Sequence, residues 1–288
     1  MNFVGVLWTP RSGRTKLATV QSMGFQVRAT TAKYPPFSFF LTHFLPPTTG
    51  WGNNEHQRYT DSSENAYVSG GRLIIKAKAK GNDITSARLR TINKFDVRPG
   101  YKGFKTIKVS VRLKVPGAGR GMWAAAWMLP TTSNSSCSGC GRYGIWAASG
   151  EIDLFESVND MKEVSTTVHY GGPWPENRSW SSSARVDASQ WNEMTILWEK
   201  DRIQWYMNGN KVHEAWSGQG SRDGWYSSSN KARGKLTAPF DQNFHILLNL
   251  ACGGGLTGNV DRGTVLSTLR ERGPRTMQVD YVRVYGMR

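Results

Sequence analysis

Three acidic side chains stand close together in one short apolar segment of the chain. Glu151, Asp153 and Glu156 alternate with Ile, Leu and Phe within residues 150–157. Such alternation is typical of a strand with one buried face. Carboxylates placed this close make one another harder to ionise, so the pattern indicates paired acid–base chemistry. An exposed acidic strand is the alternative that this segment alone leaves open.

The spacing of the three acids requires an irregularity in the strand. Successive side chains of a regular strand point to opposite faces. Glu151 and Asp153 would therefore share a face, whereas Glu156 would point into the core. One extra residue, a β-bulge at Leu154-Phe155, restores the parity and brings all three carboxyl groups to one side. The sequence predicts this bulge.

Two glutamates on one face of a bulged strand can act on one bond. The Cα atoms of Glu151 and Glu156 would lie roughly 13 Å apart at about 3.3 Å per residue. Side chains that lean toward each other can reach the carboxyl separation of about 5–5.5 Å found in retaining glycosidases, and the spacing also allows the separation of about 6.5–9.5 Å of inverting ones. Asp153, between them, can hydrogen-bond to one carboxyl group.

The elements that must position these acids are short strands. Runs of alternating or continuous apolar residues recur between clusters of Gly, Pro, Asn and Ser, most clearly at residues 73–78, 107–115, 203–207 and 244–250. Asn208-Gly209 follows the third run and suits the positive φ angles of a type I′ hairpin turn. No window shows sustained helical periodicity. The pattern predicts one all-β domain of two packed antiparallel sheets.

Charge is the unusual feature of the composition. The 288 residues carry 37 Lys and Arg against 21 Asp and Glu, a formal net charge of +16. Such a field attracts nucleic acids, anionic polysaccharides or charged surfaces. The bases are scattered singly, without the spacing of a nucleic-acid motif, so we expect no nucleic-acid partner. No run approaches the about 20 apolar residues of a membrane-spanning helix.

Residues 1–48 differ in composition from the rest of the chain. They contain no acidic residue and end in a stretch rich in Pro and Phe. This composition resembles an organellar transit peptide or unstructured leader, and a wrongly assigned start of the coding sequence would look the same. We therefore expect residues 49–288 to form the functional domain and residues 1–48 to lie outside it.

The chain has three cysteines. Cys137 and Cys140 flank a Ser-Gly step, whereas Cys252 stands in a distant apolar run. A zinc site would need a second pair of ligands, which the sequence does not supply. A small loop disulfide and three free thiols are the two readings that remain.

Several segments together resemble family 16 of the glycoside hydrolases. The acidic strand matches the family signature, and its six-residue bulged form is similar to that of the laminarinase branch. Further matching segments occur in the same order at residues 50–55, 85–88, 122–130, 169–175, 249–251 and 279–285. The resemblance implies a β-jelly-roll sandwich with a substrate cleft across its concave sheet. It also implies endo-acting hydrolysis of β-1,3-glucan with retention of configuration.

The resemblance assigns roles to the three acids. Glu151 would be the nucleophile, Asp153 its electrostatic helper, and Glu156 the general acid and then base. No redox cofactor or metal is required for this chemistry. The resemblance also implies substrate-binding positions at Trp123, Trp127, Trp146, Trp174, Asn53, Glu55, Arg88 and His169. For His169, orientation of Glu156 and contact with a sugar hydroxyl are both open, and each Trp taken alone could serve core packing.

Two positions concern differences between this chain and the family pattern. Asp280 matches a carboxylate that often binds structural calcium, although the accompanying ligands belong to the altered N-terminal region. Leu256 stands where many laminarinases have a Trp, which concerns one sugar subsite. Other polymers such as a sulfated galactan, transglycosylation, and binding of β-glucan without catalysis are the alternative functions. We expect a monomer that is secreted or associated with a cell wall.

Overall fold

The computed structural model describes the backbone of residues 2–8 and both backbone and side chains of residues 53–92, 94–132, 137, 139–218 and 223–288. The strands in these ranges are β1 (Asn2–Trp8), β2 (Arg58–Tyr59), β3 (Ala66–Ser69), β4 (Arg72–Lys80), β5 (Asp83–Ser86), β6 (Arg88–Arg90), β7 (Thr106–Lys114), β8 (Met122–Pro130), β9 (Glu151–Val158), β10 (Glu163–Gly171), β11 (Asn177–Arg185), β12 (Asn192–Trp198), β13 (Arg202–Met207), β14 (Asn210–Trp216), β15 (Phe244–Cys252) and β16 (Arg275–Met287). One α-helix, α1, spans Arg262–Glu271.

The strands form two sheets. The larger sheet has the order β14-β13-β12-β7-β16-β4-β5-β2, with β1 paired to β16 and β3 paired to β4. The smaller sheet has the order β11-β10-β9-β8-β15-β6 and carries the acidic strand, β9, near its middle. Apart from the short parallel pair β2–β5, all these pairs are antiparallel. The predicted fold class, an all-β jelly-roll sandwich, is confirmed.

The two sheets pack face to face around one apolar core. Buried side chains from both sheets belong to a single cluster. Trp198 of β12 and Phe244 of β15 meet across the interface with ring centroids 5.5 Å apart. The larger sheet therefore covers one face of the smaller sheet along its central strands. The other face of the smaller sheet carries the functional groups.

The predicted strands are confirmed by the structure. Residues 73–78 lie in β4, residues 107–114 form most of β7, and residues 244–250 lie in β15, whose residues are all buried. The predicted hairpin joins β13 to β14. Asn208 and Gly209 have φ angles of 49° and 86°, as a type I′ turn requires.

The sequence pattern does not predict the helix at residues 262–271. Asp261 caps α1, because its side chain accepts a hydrogen bond of 2.9 Å from the Thr264 backbone N–H. Only Val265, Leu266 and Leu269 of the helix are buried. Three buried apolar side chains in ten residues give a periodicity too weak to predict a helix from the sequence.

The N-terminal segment falls largely outside the described residues. Within it, the backbone of Asn2–Trp8 pairs antiparallel with β16, along residues 282–286. Residues 9–48 are not described, so the boundary between residues 1–48 and 49–288 stays a prediction. Among the described residues, no helix is long and apolar enough to cross a bilayer.

Candidate active site

An irregularity in strand pairing lies at the predicted position in β9. On one side of β9, Ala126 pairs with Phe155 and Trp127 pairs with Asp153, so Leu154 has no partner. On the other side, the register between β9 and β10 also shifts by one residue between Asp153 and Glu156. The extra residue is a β-bulge, and the predicted bulge is confirmed.

Because of the bulge, Glu151 and Glu156 meet polar partners above the same sheet. The indole Nε1 of Trp146 donates a hydrogen bond of 2.8 Å to Glu151 Oε2. The indole Nε1 of Trp123 donates one of 3.0 Å to Glu156 Oε1. Ile152, Leu154 and Phe155, between the acids, are fully buried in the core. Glu156 therefore points away from the apolar interior.

Asp153 lies between the glutamates and beside His169. The imidazole Nε2 of His169, on the neighbouring strand β10, lies 3.2 Å from Asp153 Oδ2. The His169 ring also lies against Trp146, with centroids 5.4 Å apart. Ligand atoms of Glu151, Asp153 and His169 lie within 4.8 Å of one another, so these residues could also hold a metal ion. The structure thus places His169 directly against Asp153, the middle carboxyl group.

All three carboxyl groups hold their protons more tightly than ordinary acids. Burial raises the pKa of Asp153 to about 8, against the opposing effect of a hydrogen bond with Glu151. Burial, followed by the charge of Asp153, raises the pKa of Glu156 to about 8. Burial, again followed by Asp153, raises the pKa of Glu151, while His169 and the Trp146 N–H act in the opposite direction. The site therefore retains protons at neutral pH.

Two of the predicted tryptophans stand on β8, beside the acids. Trp123 and Trp127 flank three consecutive buried alanines and are themselves half-buried. Trp127 Nε1 donates a hydrogen bond of 2.7 Å to Asn249 Oδ1 of β15. With Trp146, these rings give the acidic strand an aromatic border whose faces are partly open to solvent.

Asn53, Glu55 and Arg88 come together next to Trp127. Glu55 is buried, and its carboxylate accepts hydrogen bonds from Tyr59 at 2.9 Å and Gln57 at 2.6 Å. Arg88 Nη2 and Asn53 Nδ2 lie 3.4 and 3.5 Å from the other carboxylate oxygen. The Arg88 guanidinium also lies over the Trp127 ring, 5.1 Å from its centroid. Glu55 therefore anchors Arg88 against the aromatic border.

Trp174 lies in the loop after β10 and is 75% exposed. His169 of β10 pairs with Glu151, so this loop extends from the Glu151 end of the acidic strand. A hydrogen bond of 3.2 Å from the Ala147 backbone N–H to the Gly172 carbonyl joins the loop to the segment that carries Trp146. Trp174 therefore lies beside the site without contacting the three acids.

The cysteine pair lies beside Trp146. Cys137 and Cys140 form a disulfide, and Cys252 is a buried free thiol. Gly139, inside the disulfide loop, comes so close that a Cβ placed on it would lie 3.1 Å from the Trp146 Cβ. Of the two readings that the sequence leaves open, the structure has the small loop disulfide.

Asp280 is engaged with a cation. Arg112 Nη1 donates a short hydrogen bond to Asp280 Oδ2, which neutralises the carboxylate. Asp280 belongs to no group of three or more metal-ligating side chains in the described part of the chain. The expected further ligands are backbone groups of the N-terminal region, most of which is not described. Calcium binding stays a prediction.

Some members of the site were missed from sequence. Gln57 and Tyr59 follow Glu55 at intervals of two, and this alternation is a signal that could have identified them as partners of one carboxylate. Asn249 stood in a matched segment without an assigned role. Leu256, where the family pattern has a Trp, is 45% exposed.

A sandwich that holds two glutamates on one face beneath half-buried tryptophans has the arrangement of a glycoside hydrolase. The model of Glycosyl hydrolases family 16 matches residues 53–237, and the chain belongs to this family.

Individual relatives extend the match over most of the chain. Glucan endo-1,3-beta-glucosidase A1 from Niallia circulans is 37% identical over 256 residues, which cover 83% of this chain and 33% of that protein. Beta-glucanase from Rhodothermus marinus is 32% identical over 251 residues, which cover 82% of this chain and 76% of that protein. This chain thus spans about a third of the length of the Niallia protein.

A solved structure agrees with the fold. The X-ray structure of the laminarinase from Rhodothermus marinus superposes with a TM-score of 0.60 at 30% sequence identity, covering 82% of this chain and 86% of that one. The sandwich is therefore that of a known enzyme architecture.

Proposed function

We propose that this protein is an endo-acting glycoside hydrolase that cleaves β-1,3-glucan with retention of configuration. The observation that carries the proposal is the bulge at Leu154, which brings Glu151 and Glu156 to one face. Each glutamate has its own indole donor. The names of the relatives support β-1,3-glucan as the substrate, and the geometry supports glycoside hydrolysis by paired carboxyl groups.

In the first step, Glu156 acts as the general acid. Its pKa of about 8 keeps it protonated at neutral pH, so it can transfer a proton to the glycosidic oxygen. Glu151 attacks the anomeric carbon as the bond to the leaving sugar breaks. The products of this step are a covalent glycosyl-enzyme at Glu151 and a shortened polymer chain.

Glu151 must be ionised for this attack, and two of its neighbours lower its pKa against the effect of burial. Two effects that raise its pKa, the charges of Asp153 and Glu156, vanish when those groups are protonated. The Trp146 N–H donates a hydrogen bond to Glu151 Oε2, and His169 also lowers the pKa of Glu151. Protonation of Asp153 and Glu156 would therefore make ionisation of Glu151 easier.

In the second step, the deprotonated Glu156 removes a proton from water. The water attacks the anomeric carbon from the side that the first sugar left, and Glu151 departs as a carboxylate. Two inversions at one carbon give net retention. The side chains of Trp123, Trp127, Trp146 and Trp174 offer flat apolar faces to sugar rings, while Asn53, Glu55, Arg88 and His169 supply polar groups nearby.

Substitution of the two glutamates tests the proposal. Glu151→Gln and Glu156→Gln should each abolish release of reducing sugar from laminarin without loss of the fold. Glu163→Gln, an exposed position on the adjacent strand β10, is the matched control and should retain full activity. NMR of the first product should show the β-anomer. Full activity of both site variants would refute the proposal, and an α-anomer would refute retention.

The substrate class has its own test. Initial rates on laminarin, lichenan, agarose and carrageenan should show preference for laminarin, and equal or greater rates on the sulfated polymer would favour a galactanase. Retention of laminarin without product would favour a glucan-binding protein. Longer oligosaccharides among the products would indicate transglycosylation, which shares the covalent intermediate.

The proposed substrate also bears on where the protein works. A β-glucan polymer does not cross a membrane, so an enzyme that cleaves it is expected to be secreted or associated with the cell wall. Activity confined to the cytosolic fraction would contradict this. Sedimentation of the purified protein should show the expected monomer.

A further inference from the structure

A buried hydrogen bond crosses between the two sheets at the bulge. Trp205, on β13 of the larger sheet, is fully buried, and its indole Nε1 donates a hydrogen bond of 2.9 Å to the backbone carbonyl of Asp153. Asp153 immediately precedes Leu154, the residue left without a partner on β8. The main chain at the bulge is therefore held by a side chain from the opposite sheet.

A second contact from the larger sheet reaches β10, a strand that neighbours β9, beside the bulge. His213 of β14 pairs with Trp205 across the hairpin, and the two rings stack with centroids 4.5 Å apart. His213 Nδ1 lies 3.0 Å from the hydroxyl of Thr166, which faces the bulge on β10. The same hydroxyl donates a hydrogen bond of 3.3 Å to the Ser182 carbonyl. Trp205, His213 and Thr166 are called the cross-sheet clamp below.

The clamp stays neutral and intact at neutral pH. Burial lowers the pKa of His213 to about 4, so its ring carries no charge in the range where the enzyme would work. A buried backbone carbonyl without a donor is unfavourable, and a bulge disrupts the ladder that would otherwise supply one. The indole of Trp205 meets this need at Asp153.

Two other buried tryptophans lack a hydrogen bond of the kind that Trp205 makes. The indole nitrogens of Trp198 and Trp225 are buried without a hydrogen-bond partner among the described residues. Both rings pack in the same core as Trp205. A polar contact is therefore not needed to seat a tryptophan in this interior, and the contact of Trp205 coincides with the bulge.

We propose that the cross-sheet clamp sets the backbone geometry of the bulge, and that Trp205 is thereby a positioning residue for the reaction. The inference rests on the proposed function above and extends it from the cleft to the opposite sheet. Trp205 touches no substrate in this scheme. It acts by holding the Asp153 carbonyl, which fixes how far Glu156 stands from Glu151.

Substitution of Trp205 by Phe tests the clamp, because it removes the N–H and keeps an aromatic ring. The matched control is Trp198→Phe, which removes an indole N–H that has no partner from the same core. On laminarin, Trp205→Phe should lower kcat about 10- to 100-fold with little change in KM, as expected for misplaced catalytic groups. Trp198→Phe should retain kcat when activity is corrected for the folded fraction.

Two further measurements keep the test decisive if Trp205→Phe does not fold. Thr166→Val removes the hydroxyl that His213 contacts, whereas Thr166→Ser keeps it. Thr166→Val should lower kcat several-fold and move a limb of the pH profile of kcat/KM, because coupling between the carboxyl groups depends on their separation. Thr166→Ser should restore both values, which a loss of packing alone would not explain.

The outcomes separate this inference from the proposed function. If Glu151→Gln is inactive while Trp205→Phe keeps full kcat and an unchanged pH profile, the inference is wrong and the function stands. Equal losses of kcat in Trp205→Phe and Trp198→Phe would also overturn the inference. If Glu151→Gln retains activity, the proposed function itself fails.

Discussion

Trp146 and Glu151 lie five residues apart, and the indole Nε1 of the first donates a hydrogen bond of 2.8 Å to Oε2 of the second. Trp123 does the same for Glu156 over 3.0 Å. Both contacts lower the pKa of the carboxyl group that receives them. The two members of the proposed catalytic pair are thus held by two separate donors, from different parts of the fold.

Removal of each donor should therefore move a different limb of the pH profile. Trp146→Phe raises the pKa of Glu151, so the acidic limb of kcat/KM should move to higher pH. Trp123→Phe raises the pKa of Glu156, so the basic limb should move to higher pH. A hydrogen bond to a charged group contributes about 1.5–3 kcal/mol, or about 1–2 pH units. Initial rates from pH 4 to 10 measure both, and a profile unchanged in both variants would contradict this assignment.

The contribution of Asp153 and Glu156 to the stability of the protein should fall as pH rises from about 4 to about 8. Asp153 and Glu156 have pKa values of about 8 in the folded state, against about 3.9 and 4.3 in an unfolded chain. Between those values the folded state binds more protons, so the free energy of unfolding decreases with pH. Glu156→Gln removes one of these groups, and its gain in stability over the wild type should grow from pH 5 to pH 9.

Urea unfolding at pH 5, 7 and 9 measures this gain. Glu163→Gln, at an exposed position of the adjacent strand, serves as the control and should track the wild type at every pH. If the difference in stability between Glu156→Gln and the wild type stays constant with pH, folding does not raise the pKa of Glu156.

Arg88 should contribute more to stability than an exposed arginine. The side chains of Arg88 and Glu55 are 7% and 1% exposed, so Arg88→Ala leaves a carboxylate buried beside a reduced set of partners. Loss of one partner of a buried pair costs about 3–5 kcal/mol. Arg58→Ala breaks the exposed pair with Asp83 and should cost at most about 1 kcal/mol. Denaturant unfolding of the two variants compares these values, and equal losses would contradict the buried pairing.

Trp174 should affect substrate binding and leave stability unchanged. Its ring is 75% exposed, so Trp174→Ala removes almost no core packing. Loss of one aromatic face from the sugar path should raise KM on laminarin about 2- to 10-fold with kcat unchanged. Tyr101→Ala, an exposed aromatic in the loop before β7 of the larger sheet, is the control and should leave KM unchanged. A wild-type KM in Trp174→Ala would remove this residue from the substrate path.

The amino-acid sequence by itself determined the local features of this protein. Period-two runs predict strands because one face of a sheet is buried, and Asn208-Gly209 predicts the hairpin because few other pairs tolerate its turn. The bulge also followed from sequence, since three acids at positions 151, 153 and 156 can share a face only if one residue is added. A weakly apolar helix, α1, did not follow, because its three buried side chains carry too little periodic signal.

Only the tertiary structure decided which distant residues meet. No local pattern connects Trp205 to Asp153, because the contact spans 52 residues and crosses from one sheet to the other. The same holds for His169, which lies against Asp153 because the register of β10 on β9 sets its neighbours. Side-chain spacing along one strand determines which face a residue uses. The register and stacking of strands far apart in the chain determine what it touches there.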